Sequence, residues 1–184
     1  MFAIHTASTT VTMTLPDTYG WVIIAGAVLA LELVLIGFCC AFRARFKYFN
    51  HEFLDKNFGD MHKEETGHTV PLSGYPDTGS GRYSQALSYK DWYELNNAQR
   101  VHLNFVEFAP AIFLTLFLAG IYYPVTAAIL GAIIIVARLV YTIGYMCGGP
   151  NWRIFGALFN HLGLFALIYF SIAGGCHFIN GVKP

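Results

Sequence analysis

The sequence predicts an all-α integral membrane protein, an up-down bundle of four transmembrane helices. Three observations lead to this prediction. Of the 184 residues, 55% are hydrophobic and 12% are charged, compared with about 25% charged residues in soluble domains, and the mean hydropathy is +0.50. Four segments are long and apolar enough to cross a bilayer. The two connections that follow the second and third of these segments are so short that their neighbours must be antiparallel.

The predicted spans follow from the lengths of the apolar runs. A helix needs about 20 apolar residues to cross the hydrocarbon core, and an isolated strand would leave its backbone groups unpaired in lipid. The chain, residues 1–184, is therefore predicted to form one membrane domain. Its spans are residues 21–42, 101–122, 125–147 and 154–179, and the polar residues 46–98 form an irregular cytosolic loop over one end.

The basic residues predict the orientation of the spans. Cytosolic loops carry an excess of Lys and Arg, so the two basic connections should face the cytosol and both termini the lumen. The first 20 residues contain no Lys or Arg, unlike the basic start of a signal peptide, so we expect the first span to be retained. Lys183 is the basic residue on the opposite side, and the basic residues of the two connections are Arg43, Arg45, Lys47, Lys56, Lys63, Arg82, Lys90 and Arg153.

Charge and cysteine usage argue against two classes of partner. Lys plus Arg equal Asp plus Glu at 11 each, so the formal net charge is zero and no nucleic-acid partner is indicated. The four cysteines show no CxxC spacing, which argues against a zinc site or a disulfide framework. We therefore predict no bound metal.

The second span begins with ionisable residues, which are expensive to place in a bilayer and usually face the bundle interior or a water-filled cavity. Arg100, Asn104 and Glu107 are spaced i, i+4 and i+7, so they share one face of a helix. In the third span Arg138, Tyr141 and Tyr145 form a second stripe of this kind.

These side chains suit a small zwitterion with several carboxylates. Arg presents a planar fork that matches a carboxylate, Asn both donates and accepts, and Glu accepts hydrogen bonds from an ammonium. Because the second and third spans are antiparallel, both stripes reach the cytosolic end. Tyr145 and Arg153 should lie near the level of Arg100, while Arg138 and Glu107 lie deeper.

A structural explanation of the same residues also remains open. Glu107 with either Arg100 or Arg138 can form an ion pair that holds the bundle together. Glu32, in the middle of the first span, has no local partner and either pairs with Arg138 or stays protonated. His102 lies about 160° away from the main stripe, on a side that can face a neighbouring subunit.

The segments NNAQRVHLNFVEFAPAIFLTLFLAGIYYP, VARLVYTIGY and RIFGAL resemble the membrane-associated proteins in eicosanoid and glutathione metabolism, the MAPEG family. This family includes microsomal glutathione transferases and leukotriene C4 synthase. The resemblance carries the elements R-x-x-x-N-x-x-E and R-x-x-Y-x-x-x-Y in the same order on consecutive spans. It is closest to the microsomal glutathione transferase 3 branch.

The resemblance implies a homotrimer that binds glutathione between adjacent subunits at the cytosolic side. Arg153 matches the arginine that activates the thiol, after one inserted residue, and Phe108 stands where the synthase has a tyrosine. The first span's Arg43 matches a basic residue that contacts glutathione from the neighbouring subunit. The remaining positions that match glutathione contacts are Arg100, His102, Asn104, Glu107, Tyr141 and Tyr145.

The function implied is a membrane-bound glutathione transferase or glutathione-dependent peroxidase. Glutathione is the co-substrate, and the other substrate is a lipophilic electrophile or a lipid hydroperoxide that enters from the bilayer beside the fourth span. The endoplasmic reticulum is the expected location, with a mitochondrial membrane as the alternative. Two other functions remain open: a non-catalytic subunit of a larger membrane complex, contacted through residues 46–98, and a lipid-presenting binding protein.

Overall fold

The computed structural model describes residues 14–73 and 77–181 of the chain. The predicted orientation depends in part on residues outside these ranges. Lys183 lies outside them, and so do residues 1–13, which contain no Lys or Arg. The described part confirms the predicted all-helical membrane fold. Four of its helices are long and apolar enough to cross a membrane, namely Tyr19–Tyr48, Tyr89–Tyr122, Pro124–Gly148 and Ile154–Ile179.

The first membrane helix is continuous but changes its winding near the basic end. It consists of α1 (Tyr19–Ile36), a π-helical segment (Gly37–Phe42) and α2 (Arg43–Tyr48). Its 30 residues correspond to about 45 Å, longer than the roughly 30 Å hydrocarbon core. The basic residues of α2 therefore extend the helix beyond the predicted end at residue 42, into the headgroup region.

The polar segment 46–98 differs from the predicted irregular loop, because much of it is helical. Helix α3 (His51–Thr66) begins where the side chain of Asn50 accepts a hydrogen bond from the Phe53 amide at 3.0 Å and ends at Gly67, which has φ +75°. This N-cap and the C-terminal glycine are the usual helix boundaries. Leu54 and Phe58 of α3 are buried, and the Phe58 ring centroid lies 4.5 Å from that of Tyr83, so the helix packs against the loop that follows it.

A buried carboxylate organises the loop that follows. Asp77 accepts hydrogen bonds from the amides of Gly79, Gly81, Tyr83 and Ser84 and from the Ser84 hydroxyl. Burial alone raises the pKa of Asp77, but the hydrogen bonds from Ser84, Gly79 and Gly81 outweigh it, so the pKa of this carboxyl lies below its ordinary value. The loop is attached to the next helix because the Trp92 indole donates to the Gly79 carbonyl at 2.6 Å.

The second membrane helix, α4 (Tyr89–Tyr122), begins at residue 89 instead of the predicted 101. Ser88 caps it, since its hydroxyl accepts from the Asp91 amide at 3.2 Å and donates to the Asp91 carboxylate at 2.7 Å. A single residue, Tyr123, separates α4 from α5 (Pro124–Gly148), which starts with a proline at the position a helix tolerates best. The fourth membrane helix is α6 (Ile154–Ile179).

The bundle is arranged around α4 and α5, which pack against each other. Helix α1 packs against both of them, and so does α6. The close approach of α5 and α6 requires Gly156, because a Cβ at this position would collide with the Tyr141 amide and the Ala137 carbonyl. This contact places the start of α6 directly beside the tyrosines of α5.

Candidate functional site

The deepest polar contact of the bundle joins α5 to α4. Arg138 is only 1% exposed, and one of its guanidinium nitrogens donates to the Asn104 side-chain oxygen at 2.8 Å while another approaches the Asn104 carbonyl at 3.5 Å. The guanidinium carbon also lies 4.5 Å from the ring centroid of Phe105, 5.6 Å from that of Tyr141 and 5.8 Å from that of Phe108. Aromatic faces attract a desolvated cation, so Arg138 is held by an amide and three rings.

A second cation lies among the two tyrosines of α5. Arg153 donates to the Tyr141 hydroxyl at 3.2 Å, and its guanidinium carbon lies 5.4 Å from the Tyr145 ring centroid. The two tyrosine rings are 5.7 Å apart. The hydrogen bond that Arg153 donates to Tyr141 raises the pKa of Arg153 further above its already high ordinary value. Arg153 is therefore a permanent positive charge beside two phenols.

The turn between α5 and α6 brings Arg153 back to α5. Helix α5 ends at Gly148, and Gly149 has φ +77°, a backbone conformation that glycine adopts without strain. Pro150 follows in the turn and Arg153 immediately precedes α6. This local sequence lets a residue that is twelve positions beyond Tyr141 reach its hydroxyl.

Arg100 and Glu107 lie on the outer face of α4, and both are exposed. Arg100 is within electrostatic range of Tyr145, so it lies toward the same end of the bundle. Among the described residues neither side chain forms an ion pair, whether with each other or with Arg138. The predicted stripe therefore divides: Asn104 turns into the bundle, and Arg100 and Glu107 stay accessible.

His102 of α4 and Arg43 of α2 lie where α4 and the first membrane helix face each other. The His102 ring packs against Gly37 of its own chain, with Nε2 3.0 Å from the position of a Cβ on that glycine, and not toward open space. Arg43 is exposed and lines a groove of about 460 Å³ between the first helix and α4. Among the described residues, neither side chain forms a hydrogen bond or an ion pair with Arg153, Tyr141 or Tyr145.

The same groove contains a polar contact that sequence reasoning missed. The Lys47 ammonium donates to the Glu94 carboxylate at 3.1 Å and to the Tyr48 hydroxyl at 2.7 Å, and the Tyr48 hydroxyl donates to Glu94. Glu94 lay outside every predicted span, and 46 residues separate it from Tyr48, so no local spacing connects the two. The two residues meet because α4 begins at Tyr89, twelve residues before the predicted span, and so reaches the level of α2.

Glu32 and Arg138 do not form the ion pair that the sequence suggested. The carboxylate of Glu32 is 6% exposed, and neither of its oxygens has a hydrogen-bond partner. No cation of residues 14–73 or 77–181 lies within 4.0 Å of it. The Nε of Arg138 and the side-chain oxygen of Asn160 are also buried without a partner.

In the described ranges, no group of three or more His, Cys, Asp or Glu side chains has an arrangement that could hold a metal ion. All four cysteines are free thiols.

The polar groups around Arg153 are its own guanidinium, which is a cation with several N–H donors, and the hydroxyls of Tyr141 and Tyr145. Such a set can bind and stabilise an anion.

An apolar groove of about 580 Å³ adjoins this cluster between α5 and α6. Ala137 and Gly156, which line it, are the residues that contact or flank Tyr141. The rest of its wall consists of apolar side chains from the two helices, and it opens toward the surface that faces lipid. The groove therefore connects this surface with the neighbourhood of Tyr141.

Comparison with known protein families gives a match to the family model described as the MAPEG family, over residues 21–173. The match includes all four membrane helices up to the last turns of α6, and it contains both polar stripes and Arg153. Members of this family include glutathione transferases and related eicosanoid enzymes as well as non-catalytic proteins. With the four-helix membrane fold and a match over most of its length, the chain belongs to the MAPEG family.

Proposed function

We propose that the protein is a membrane-bound glutathione transferase that also reduces lipid hydroperoxides with glutathione. The observation that carries this proposal is the position of Arg153, hydrogen-bonded to Tyr141 at 3.2 Å and facing the Tyr145 ring. Family membership supports the use of glutathione. The closeness to the microsomal glutathione transferase 3 branch belongs to the same proposal and rests on the sequence resemblance.

The chemistry requires a thiolate. A free thiol has a pKa near 8.5 and is mostly protonated at neutral pH, and a neighbouring guanidinium lowers that pKa. In this mechanism Arg153 stabilises the sulfur anion while the thiol proton passes to solvent. The sulfur electron pair then forms a carbon–sulfur bond while the leaving group of the electrophile departs with its bonding electrons. With a hydroperoxide, the sulfur instead attacks the terminal oxygen, the O–O bond breaks, and the departing alkoxide takes a proton from solvent. The second reaction releases an alcohol, and a second glutathione converts the sulfenic acid to a disulfide and water.

The peptide part of glutathione requires further contacts, which we assign to Arg100, Asn104, Glu107, Tyr141 and Tyr145. Because Arg100 and Glu107 face outward, a single subunit leaves the pocket open on one side. A neighbouring copy closes it in our proposal and contributes its Arg43, while His102 is assigned to the glutathione site by the sequence resemblance. The resemblance implies that this assembly is a homotrimer.

The second substrate enters through the apolar groove between α5 and α6. Its volume of about 580 Å³ lies within the range of small-molecule sites, roughly 300–1,000 Å³. The groove faces lipid and reaches Gly156 beside Tyr141, which supports a lipophilic electrophile or a lipid hydroperoxide as the occupant. We further propose that the site faces the cytosol, in the endoplasmic reticulum or alternatively in a mitochondrial membrane.

Calorimetry with the purified full-length protein tests this proposal. Glutathione should bind, and S-methylglutathione, which has no ionisable thiol, should bind more weakly because it loses the charge interaction with Arg153. Arg153→Ala should reduce the difference between the two ligands. Arg82→Ala is the matched control, since Arg82 contacts Met61 in the cytosolic segment. Equal binding of both ligands to the wild-type protein would contradict the role of Arg153.

A non-catalytic role has one observation in its favour. Helix α3 and the Asp77 loop form an ordered unit outside the membrane, which is a suitable contact surface for a larger membrane complex. Release of a stable assembly from native membranes, together with an absence of glutathione binding, would support that function. A lipid-presenting protein would retain lipid binding in the α5–α6 groove and also lack glutathione binding.

A further inference from the structure

The buried carboxylate of Glu32 needs a partner that the described residues do not provide. Both of its oxygens are buried and accept no hydrogen bond. The nearest candidate cation, Arg138, is already committed to Asn104 and to the rings beside it. Placing an unpaired carboxylate in hydrocarbon is expensive, and intramembrane carboxylates usually mark a functional site.

Glu32 lines a groove between α1 and α5 with a volume of about 280 Å³. The walls are apolar side chains such as Leu35 and Leu139, but Thr142 lies on the α5 side. The Thr142 hydroxyl makes no hydrogen bond with a described residue. The Glu32 carboxylate and the Thr142 hydroxyl therefore open onto the same apolar groove. Both can accept a hydrogen bond, and neither has a partner among the described residues.

This groove continues along the two helices. A second apolar groove of about 350 Å³ runs from Trp21 toward the bundle centre and shares Val28 and Ile135 with the first. Together they form a track between α1 and α5 that extends through much of the bilayer. The shape suits one extended hydrocarbon chain better than a compact molecule.

We propose that this track binds a single-chain amphiphile with a primary ammonium head, whose ammonium pairs with Glu32 and whose alkyl chain lies between α1 and α5. An ionised carboxylate only accepts hydrogen bonds, and an ammonium has three donors, enough for Glu32 and Thr142 together. Without a cation beside it Glu32 stays protonated, whereas a bound ammonium pairs with the ionised carboxylate and neutralises its charge. A hydroxyl head would supply a donor but would leave that charge in the membrane.

Photolabelling of the full-length protein in lipid nanodiscs tests this binding. The probe is hexadecylamine with a photoreactive diazirine in its alkyl chain, and the labelled residues are mapped by mass spectrometry. We expect labelling in segments 21–40 and 125–142, competition by unlabelled hexadecylamine, and little competition by hexadecanol. Glu32→Gln should reduce the labelling about tenfold, the value of a good hydrogen bond within a membrane.

Two further variants separate binding from misfolding. Glu64→Gln makes the same chemical change at an exposed carboxylate of α3, outside the proposed glutathione site, and should keep full labelling of the track. Ile135→Trp keeps Glu32 but fills the junction of the two grooves, so it should abolish the labelling. Thermal melting of each variant shows whether the bundle is intact.

Three results would overturn the proposal. Unchanged labelling in a folded Glu32→Gln variant would mean that the carboxylate does not bind the probe. Equal competition by hexadecanol, or labels spread over all lipid-facing helices, would indicate ordinary lipid contact. Exclusion of the probe together with cross-links between copies through Cys39, which lines the groove, would show that a second copy covers this face.

Discussion

Arg153 and Tyr141 are hydrogen-bonded at 3.2 Å across the turn that joins α5 to α6. Tyr141 lies toward the end of α5, and Arg153 lies in the turn immediately before α6. Their contact depends on Gly149 in the turn and Gly156 at the start of α6. The turn therefore does more than connect two helices. It fixes a permanent cation beside two phenols, at the end of the apolar groove between α5 and α6.

Removing this cation should impair catalysis more than glutathione binding. Arg153→Ala should lower kcat on the order of 100-fold, the usual effect of losing one donor that stabilises a developing anion. Arg153→Lys keeps the charge but not the planar fork, so it should fall between the alanine variant and the wild type. Steady-state conjugation and peroxidase rates measure this, with Arg82→Ala as the control. A normal kcat in Arg153→Ala would exclude the proposed role.

The Arg138–Asn104 contact should show an asymmetry between its two partners. Asn104→Ala leaves a buried guanidinium without its amide acceptor and should destabilise the fold by about 3 kcal/mol or more. Arg138→Met removes the charge and leaves only a neutral amide unpaired, so it should cost less. The double variant should be more stable than Asn104→Ala alone. Thermal melting in detergent checks this, and strict additivity of the two single changes would contradict a direct interaction.

Gly156 should tolerate no side chain. In Gly156→Ala the new Cβ meets the Tyr141 amide and the Ala137 carbonyl, and overpacking of this kind costs about 1–3 kcal/mol. The variant should melt at a lower temperature and lose activity because Arg153 moves away from Tyr141. Gly175→Ala is the matched control on the same helix, since a Cβ there meets nothing within 4 Å. Equal melting temperatures for the two variants would argue against a close α5–α6 contact.

The Asp77 loop should lose stability in acid. The pKa of Asp77 is depressed in the folded protein, so its stabilising contribution is fully present above its unfolded value, about 3.9, and is lost as the pH falls through the lower folded value. Amide hydrogen exchange at Gly79, Gly81 and Ser84 measures this loss. Asp77→Asn should speed exchange even at neutral pH, and Asp60→Asn, on the exposed face of α3, should not. Slow exchange in Asp77→Asn would show that the carboxylate does not hold the loop.

The apolar runs in the sequence located the membrane helices but not their ends. Helix α2 and the first turns of α4 carry charged and polar residues that continue each helix beyond its apolar run, so hydropathy does not reveal where these helices end. The Ser88 cap with its Asp91 partner and the Asn50 cap of α3 are short-range contacts that the prediction from apolar runs did not include. The contact of Glu94 with Tyr48 is not short-range, because it depends on how the first helix and α4 pack.

The candidate site was likewise only partly predictable from the sequence. Helical spacing identified both polar stripes, and Arg153 followed from the family resemblance. Spacing did not indicate that Asn104 turns inward to Arg138 while Arg100 and Glu107 remain outside, because three residues on one helical face can still have side chains that point apart. The isolation of Glu32 from Arg138 likewise depends on side-chain directions that a one-dimensional pattern does not contain.

The ultraviolet absorbance of glutathione bound to the purified protein reports the ionisation of the thiol at the proposed site. It should be recorded as a function of pH, with the protein saturated with glutathione, for the wild type, Arg153→Ala and Arg82→Ala. We expect a thiolate signal at neutral pH in the wild type and in Arg82→Ala, and its loss in Arg153→Ala although glutathione still binds. Glutathione that binds without forming a thiolate, or a thiolate signal that persists in Arg153→Ala, would contradict the proposed mechanism.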